Sequence, residues 1–141
     1  MGALSQLEAD TIAHWFNRTA RALNLAAAQP GLTLDRIGRL TALADSLADD
    51  AANLSTQYAQ IAFADADRAF SDISAAASAA DAAARRLSSD IRNVETVLNI
   101  GAKLVALGAA SLAGDYGAAL SDLIALVGPT AGSGDVASAD A

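Results

Sequence analysis

Residues 94–127 read VETVLNIGAKLVALGAASLAGDYGAALSDLIALV, and this stretch is apolar on nearly every side of the helix that it predicts. Arg92, Asn99 and Lys103 form a single narrow polar row along it. A helix this apolar is either buried in protein or embedded in lipid. The segment Gly114-Asp115-Tyr116-Gly117 predicts a tight turn with Gly114 as the C-terminal cap. The stretch is therefore predicted to be an apolar helical hairpin whose second helix covers residues 118–127.

The chain before this hairpin has the pattern of an ordinary amphipathic helical protein. Apolar residues recur at three- and four-residue steps over 4–28, which predicts a first helix ending at Gln29-Pro30-Gly31. Thr33 is the expected N-cap of the next helix, and Asp35 lies in its first turn, where the helix dipole favours a negative charge.

The segment 33–113 contains no glycine or proline between Gly38 and Gly101, and its apolar residues continue in a heptad-like series. A single helix of this length would form a rod of roughly 90 Å. Serine and aspartate near residues 64–67, or within 78–90 at 78–81 or 88–90, offer N-caps at which a compact bundle would fold back. The prediction is long helices with or without one such break, and the series over 37–61 is expected to face one partner helix.

Composition supports an all-α fold. The chain has 141 residues, of which 38 are alanine and only two are proline. Alanine is the strongest helix former, and small side chains let helices pack closely. The expected architecture over 1–128 is one domain of long amphipathic helices, in an antiparallel bundle or a coiled-coil-like hairpin, with the C-terminal apolar hairpin. Residues 129–141 are predicted to form a polar, acidic tail.

Charge and cysteine content exclude several classes of function. The net charge is -7 and is dispersed along the chain, whereas nucleic acid normally binds a basic stripe. Nucleic acid is therefore not an expected partner. The absence of cysteine excludes disulfides, thiolate metal sites and cysteine nucleophiles. No basic segment followed by an apolar one opens the chain, so a cytoplasmic location is the default expectation.

Catalytic and metal-binding patterns are weak. His14 is the only histidine and lies one turn after Asp10, which is typical of a solvated surface pair. Glu8 and Glu95 are not followed by a histidine three residues later, as a di-metal bundle would require. The glycines at 101, 108, 114 and 117 fit no phosphate-binding loop and are expected to let helix backbones approach closely. No enzyme activity, cofactor or metal is predicted.

The favoured functional hypothesis is a structural or interaction module. One short amphipathic helix would leave part of the apolar hairpin uncovered, and uncovered apolar surface usually marks an interface. The expected partner is a second copy of the chain or another helical protein. The predicted contact residues are Val97, Leu98, Ile100, Leu104, Val105, Leu107, Leu112, Leu120, Leu123, Ile124 and Val127.

Membrane insertion of the same hairpin, as in a pore-forming or lysis-type protein, is the alternative. Residues 96–114 contain one charge, and about 20 apolar residues suffice to span a bilayer. Lys103 lies near the middle of this span and would cost about 2.5–3.5 kcal/mol on insertion. Asp115 and Asp122 also weaken the return helix as a second span, so this hypothesis is the less favoured of the two.

Overall fold

The structure is a computed structural model that describes residues 2–127, and these residues confirm the all-α bundle. They form α1 (Gln6–Ala27), α2 (Leu34–Gln57), α3 (Ala66–Leu87), α4 (Val94–Leu112) and α5 (Gly117–Val127). Short 3-10 turns at Tyr58–Gln60 and Ile91–Asn93 follow α2 and precede α4. The predicted tail, 129–141, lies outside the described residues.

The predicted helix ends are confirmed where the signal is local. The Thr33 hydroxyl accepts a hydrogen bond from the Arg36 amide at 3.2 Å and so caps α2. Gly31 has φ of 90°, the left-handed conformation that the Pro30-Gly31 turn requires. Gly114 ends α4 with φ of 79°, and the Gly114 and Asp115 amides donate to the Ser111 and Ala110 carbonyls in the pattern of a Schellman cap.

The prediction of one long helix with at most one break over 33–113 is wrong. The segment forms three helices, separated near residues 58–65 and 88–93. Two of the proposed fold-back points, 64–67 and 88–90, lie at or beside these breaks, while the third, 78–81, lies inside α3.

Tertiary burial ends α2 in the absence of a helix-breaking residue. Ile61 and Phe63 leave the helix in extended conformation and are buried, and Phe63 exchanges two backbone hydrogen bonds with Gly2. Asp65 then caps α3 by accepting from the Arg68 amide at 3.1 Å. At the second break, the Asp90 carboxylate accepts from the Arg92 amide at 2.9 Å.

Contacts at the two ends of the bundle define the helix directions. At one end, Gly2 pairs with Phe63 between α2 and α3. At the other end, the side-chain amide of Gln29 donates to the Ser88 carbonyl, and Arg36 at the start of α2 pairs with Glu95 at the start of α4. The first four helices therefore run alternately up and down.

The helices are not arranged around the bundle in chain order. α1 packs against α2 and α3, and α4 also packs against α2 and α3, so α1 and α4 lie diagonally opposite. The connection over 58–65 consequently crosses the end of the bundle from α2 to α3. α5 returns along α3 and α4. α2, which carries the apolar series over 37–61, thus contacts two helices, α1 and α4. The prediction that this series faces a single partner helix is wrong.

Small residues allow the helices to approach closely, as the composition predicts. A Cβ atom at Gly101 would lie 3.1 Å from Leu23 Cδ1 and 3.3 Å from Leu43 Cδ1. At Gly108 it would lie 2.6 Å from Phe16 Cε2 and would also meet the Asp50 carboxylate. Both glycines therefore face α1 and α2. At Gly108 a side chain would require its neighbours to move, whereas at Gly101 a Cβ would require only a small shift of Leu23 and Leu43.

Candidate functional site

The structure places the predicted contact residues in two groups. Six of them are buried within the same chain, with five on α4 and one on α5, and pack in its core. These six are Val97, Leu98, Ile100, Leu104, Leu107 and Leu123. The other five are only partly buried, and these are Val105, Leu112, Leu120, Ile124 and Val127.

This division corrects the expectation that one amphipathic helix would have to cover the apolar hairpin. α4 packs against α2, α3 and α5, and it also contacts α1 across the bundle. The six buried side chains cannot reach a partner while α4 remains in place. Arg92, Asn99 and Lys103 are all exposed, as the single polar row predicted.

The outward side of α4 presents a row of small side chains. Ala102, Ala106 and Ala109 of α4 and its C-cap Ala113 are exposed and follow one another at steps of four, three and four residues. We call these four residues the α4 outer row. Such alternating steps keep residues on one side of a helix. The row was not among the predicted contact residues, although its spacing is visible in the sequence.

The surface of α4 and α5 carries few charges. Within 101–113 Lys103 is the one charged residue, and within α5 it is Asp122. The other helices differ, because each carries several exposed charged side chains. Those of α1 to α3 include Asp10, Arg21, Asp35, Arg39, Asp45, Asp49, Asp67, Arg68, Arg85 and Arg86. On α5, Leu126 is also 37% exposed.

A cavity of about 440 Å³ lies at the end of the bundle where α3 begins and α4 turns into α5. The Tyr116 hydroxyl donates to Asp72 at 3.2 Å, and Arg68 Nε lies 3.7 Å from the same carboxylate. Desolvation, followed by the negative charge of Asp72, raises the pKa of Tyr116. The residues lining the cavity are Ala64, Asp65, Arg68, Asp72, Gly114, Asp115, Tyr116, Gly117 and Leu120.

The polar groups of this cavity already have structural partners. Asp65 caps α3, and Asp72 accepts from Tyr116 and pairs with Arg68. Across residues 2–127, no three histidine or acidic side chains are grouped so that they would hold a metal ion.

A second polar cluster joins α1 to α3. Asp81 is fully buried, and its carboxylate is reached by Arg18 Nε at 3.3 Å, by Arg85 Nε at 3.0 Å and by the Thr19 hydroxyl at 3.5 Å. Sequence reasoning missed this cluster because Asp81 lies in an alanine-rich segment without a distinctive motif. The four-residue step from Asp81 to Arg85 was the available signal.

Asp50 is a third polar group, located where α2 faces α4. Its Oδ2 atom is buried and has no hydrogen-bond partner among the described residues. Burial, and to a smaller extent the negative charge of Asp49, raise the pKa of the Asp50 carboxyl from 3.8 to about 6. Two adjacent aspartates, Asp49 and Asp50, are typical of a solvated helix face and give no sign of this burial in the sequence.

The remaining titratable candidates have ordinary surface positions. His14 is exposed and stacks edge-to-face on Trp15, with ring centroids 5.4 Å apart. Glu8 completes the capping box of α1 with Ser5, and Glu95 pairs with Arg36 at 3.0 Å. Each of the three side chains therefore has a structural contact at the surface of the bundle.

Comparison with known proteins returns no match: no family model, curated protein or solved structure is similar to this chain. The functional proposal therefore rests on the geometry of the chain itself.

One helix within 2–127 is long and apolar enough to cross a membrane. It covers Ile91–Leu112, with a mean hydropathy of 1.2 in its most apolar window, and half of that window is buried in the bundle. The core helix of a bundle has the same length and composition, so this property alone does not distinguish the two environments.

Proposed function

We propose that this chain is a non-catalytic helical module that associates with a second copy of itself through the outward side of α4 and α5. The observation that supports the proposal most directly is the α4 outer row, which is exposed, uncharged and spaced for contact with another helix. Alanine side chains let two helix backbones approach closely, so dispersion contacts accumulate along the row.

The distribution of charge favours the same surface. Two copies that each carry a net charge of -7 repel one another, and the repulsion is weakest where few acidic side chains meet. On the α4–α5 side, Lys103 and Asp122 have opposite signs. The more highly charged sides of α1, α2 and α3 would remain in water and keep the assembly soluble.

The partly buried members of the predicted set extend this surface. Leu112, Ile124 and Val127 keep part of their area in contact with solvent, and Leu126 is more exposed still. Covering such apolar area contributes about 25 cal/mol per Å² before the cost of association is subtracted. Self-association would therefore bury apolar surface that the folded bundle already exposes, and it would not require the bundle to open.

Membrane insertion of α4 is the second candidate, and the apolar span Ile91–Leu112 favours it. Insertion would require α4 to leave the core, where Leu98, Leu104 and Leu107 are buried. It would also place Lys103 near the middle of the bilayer, at a cost of about 2.5–3.5 kcal/mol. Self-association needs neither step and is the function that we propose.

Sedimentation velocity over a concentration series, combined with flotation on phosphatidylcholine vesicles, tests the proposal. The informative variant is Ala102→Glu with Ala109→Glu, which adds two charges to the α4 outer row. Its matched control is Ala75→Glu with Ala82→Glu, which adds the same charges at the same spacing to exposed positions of α3. Substitution of Leu104 and Leu107 would be uninformative, because both are fully buried in the core.

The expected result is a wild-type sedimentation coefficient that rises with concentration, a monomeric α4 variant and an α3 control that behaves as wild type. Wild-type protein that stays monomeric at all concentrations, or an α4 variant that associates as wild type does, would refute the proposal. Flotation of a monomer with the vesicles would favour membrane insertion instead.

A further inference from the structure

Asp50 lies in the contact between α2 and α4 and has an unusual environment for a carboxylate. Its Oδ2 atom is buried without a hydrogen-bond donor, although an ionised carboxylate normally accepts several hydrogen bonds when it is removed from water. A buried charge without a partner carries a desolvation cost, which is relieved when the group takes up a proton.

The space at Gly108 brings this oxygen together with apolar groups of two other helices. A Cβ built on Gly108 of α4 would meet Asp50 Oδ2 directly, and Phe16 Cε2 of α1 borders the same space. Because position 108 is glycine, the carboxylate lies against the backbone of α4. Any movement of Asp50 towards water therefore changes the contact between α2 and α4.

Within residues 2–127, no cation from a neighbouring helix pairs with this carboxylate. On α1, the titratable residues flanking Phe16 are His14, which is exposed, and Arg18, which pairs with Asp81. On α4, the charged residue nearest in sequence to Gly108 is Lys103, which is also exposed. Among the residues that the structure describes, no ion pair involves Asp50. Its α2 neighbour Asp49 is negative and adds repulsion.

We propose that Asp50 is a proton-linked element of the bundle, whose protonation strengthens the packing of α4 on α2 and whose ionisation loosens it. The neutral carboxyl fits the apolar contact with Gly108 and Phe16, whereas the ionised form favours solvent. Acidification therefore stabilises the packing of α4 on α2, and a rise towards neutral pH destabilises it.

The sign of this pH dependence follows from the direction in which folding shifts the pKa of the Asp50 carboxyl. The pKa of Asp50 is raised from 3.8 to about 6, so the folded chain binds more protons than the unfolded chain between these values. The contribution of Asp50 to stability is fully present below 3.8 and is lost as the pH rises through about 6. For such a shift the folding equilibrium constant falls about tenfold between about pH 5 and about pH 7.5.

Urea unfolding of wild type and of Asp50→Asn at these two pH values tests the proposal. The asparagine variant lacks the titrating group, so the ratio of the wild-type to the variant folding constant is expected to fall about tenfold from the lower pH to the higher. Asp45→Asn, at an exposed α2 position, is the matched control, and its ratio to wild type is expected to stay constant. A wild-type to Asp50→Asn ratio that changes less than about twofold would overturn the proposal.

Two measurements on the wild-type chain keep the test independent of how the variant folds. The Asp50 carboxyl carbon, followed by NMR, is expected to titrate near pH 6, and a midpoint near the ordinary value of 3.8 would overturn the proposal. Amide exchange in α4, corrected for intrinsic rates, is expected to be less protected at the higher pH than at the lower. Equal α4 protection at both pH values would also overturn it.

Discussion

Arg18 of α1 and Asp81 of α3 are joined across the bundle, with Arg18 Nε 3.3 Å from Asp81 Oδ2 although 63 positions separate the residues in the chain. The side chain of Asp81 is 1% exposed, whereas those of Arg18 and Arg85 are 34% and 49% exposed. The carboxylate therefore depends on its two arginines, while each arginine can also be solvated by water. This asymmetry makes the cluster a test of how α1 and α3 are held together.

Removing the Asp81 carboxylate is expected to lower the free energy of unfolding by less than removing both of its arginine partners. Asp81→Ala should lower the free energy of unfolding by about 1–3 kcal/mol, because the released arginines reach solvent. Arg18→Ala with Arg85→Ala leaves a buried carboxylate without an ionic partner and should cost about 3–5 kcal/mol. Urea denaturation of the two variants measures the difference. A double arginine variant as stable as Asp81→Ala would show that Asp81 is solvated and does not depend on the pairs.

Glycine-to-alanine substitutions should have opposite effects at two helical positions. Gly108→Ala places a Cβ against Phe16 Cε2 at 2.6 Å and against Asp50, and should destabilise the fold by about 1–3 kcal/mol. A Cβ at Gly38 on α2 would meet no atom within 4 Å, so Gly38→Ala should stabilise the fold by about 0.5–1 kcal/mol. Thermal denaturation of both variants is the measurement. If the two substitutions shift the melting temperature in the same direction, α4 does not pack closely on α2 at Gly108.

The break between α2 and α3 depends on Phe63. Phe63 is 1% exposed, and its ring lies edge-to-face with that of Tyr116, with ring centroids 6.0 Å apart. Phe63→Ala should lower the free energy of unfolding by about 3–5 kcal/mol because it leaves a cavity at this end of the bundle. Ala64→Ser changes the neighbouring exposed residue and is the control, with an expected effect within about 0.5 kcal/mol. A Phe63→Ala variant as stable as this control would mean that the connection is not anchored in the core.

Salt should strengthen the proposed self-association. Between about 0.1 M and about 1 M NaCl, the Debye length shortens from about 10 Å to about 3 Å, which screens the repulsion between two acidic chains. The dissociation constant from sedimentation equilibrium is therefore expected to fall as salt rises. Weaker association at high salt would show that ion pairs hold the copies together, which contradicts an interface built on the α4 outer row.

The sign of the Asp50 effect also bears on the membrane hypothesis. Acidification is expected to tighten the packing of α4 on α2, so low pH would oppose the release of α4 from the bundle. Vesicle flotation at about pH 5 and about pH 7.5 examines this consequence, and more flotation is expected at the higher pH if α4 inserts at all. Flotation that increases on acidification would contradict the inferred role of Asp50.

The sequence by itself determined the features that depend on a few neighbouring residues. Helical periodicity and alanine content predicted the all-α class, Thr33 predicted the start of α2, and Gly114 predicted the end of α4. These signals are readable because a cap or a tight turn is made by residues within one or two helical turns of each other. The exposure of Arg92, Asn99 and Lys103 followed from the same periodicity.

Only the tertiary structure decided where the long alanine-rich segment breaks and what surrounds α4. The chain leaves α2 because burying Ile61 and Phe63 at the end of the bundle stabilises the fold more than another helical turn would. No glycine or proline in this segment signals the break. The same holds for Asp50 and Asp81, which look alike in the sequence. One is packed without a partner against Gly108 and the other is paired with Arg18, because contacts between distant helices set the environment of a buried side chain.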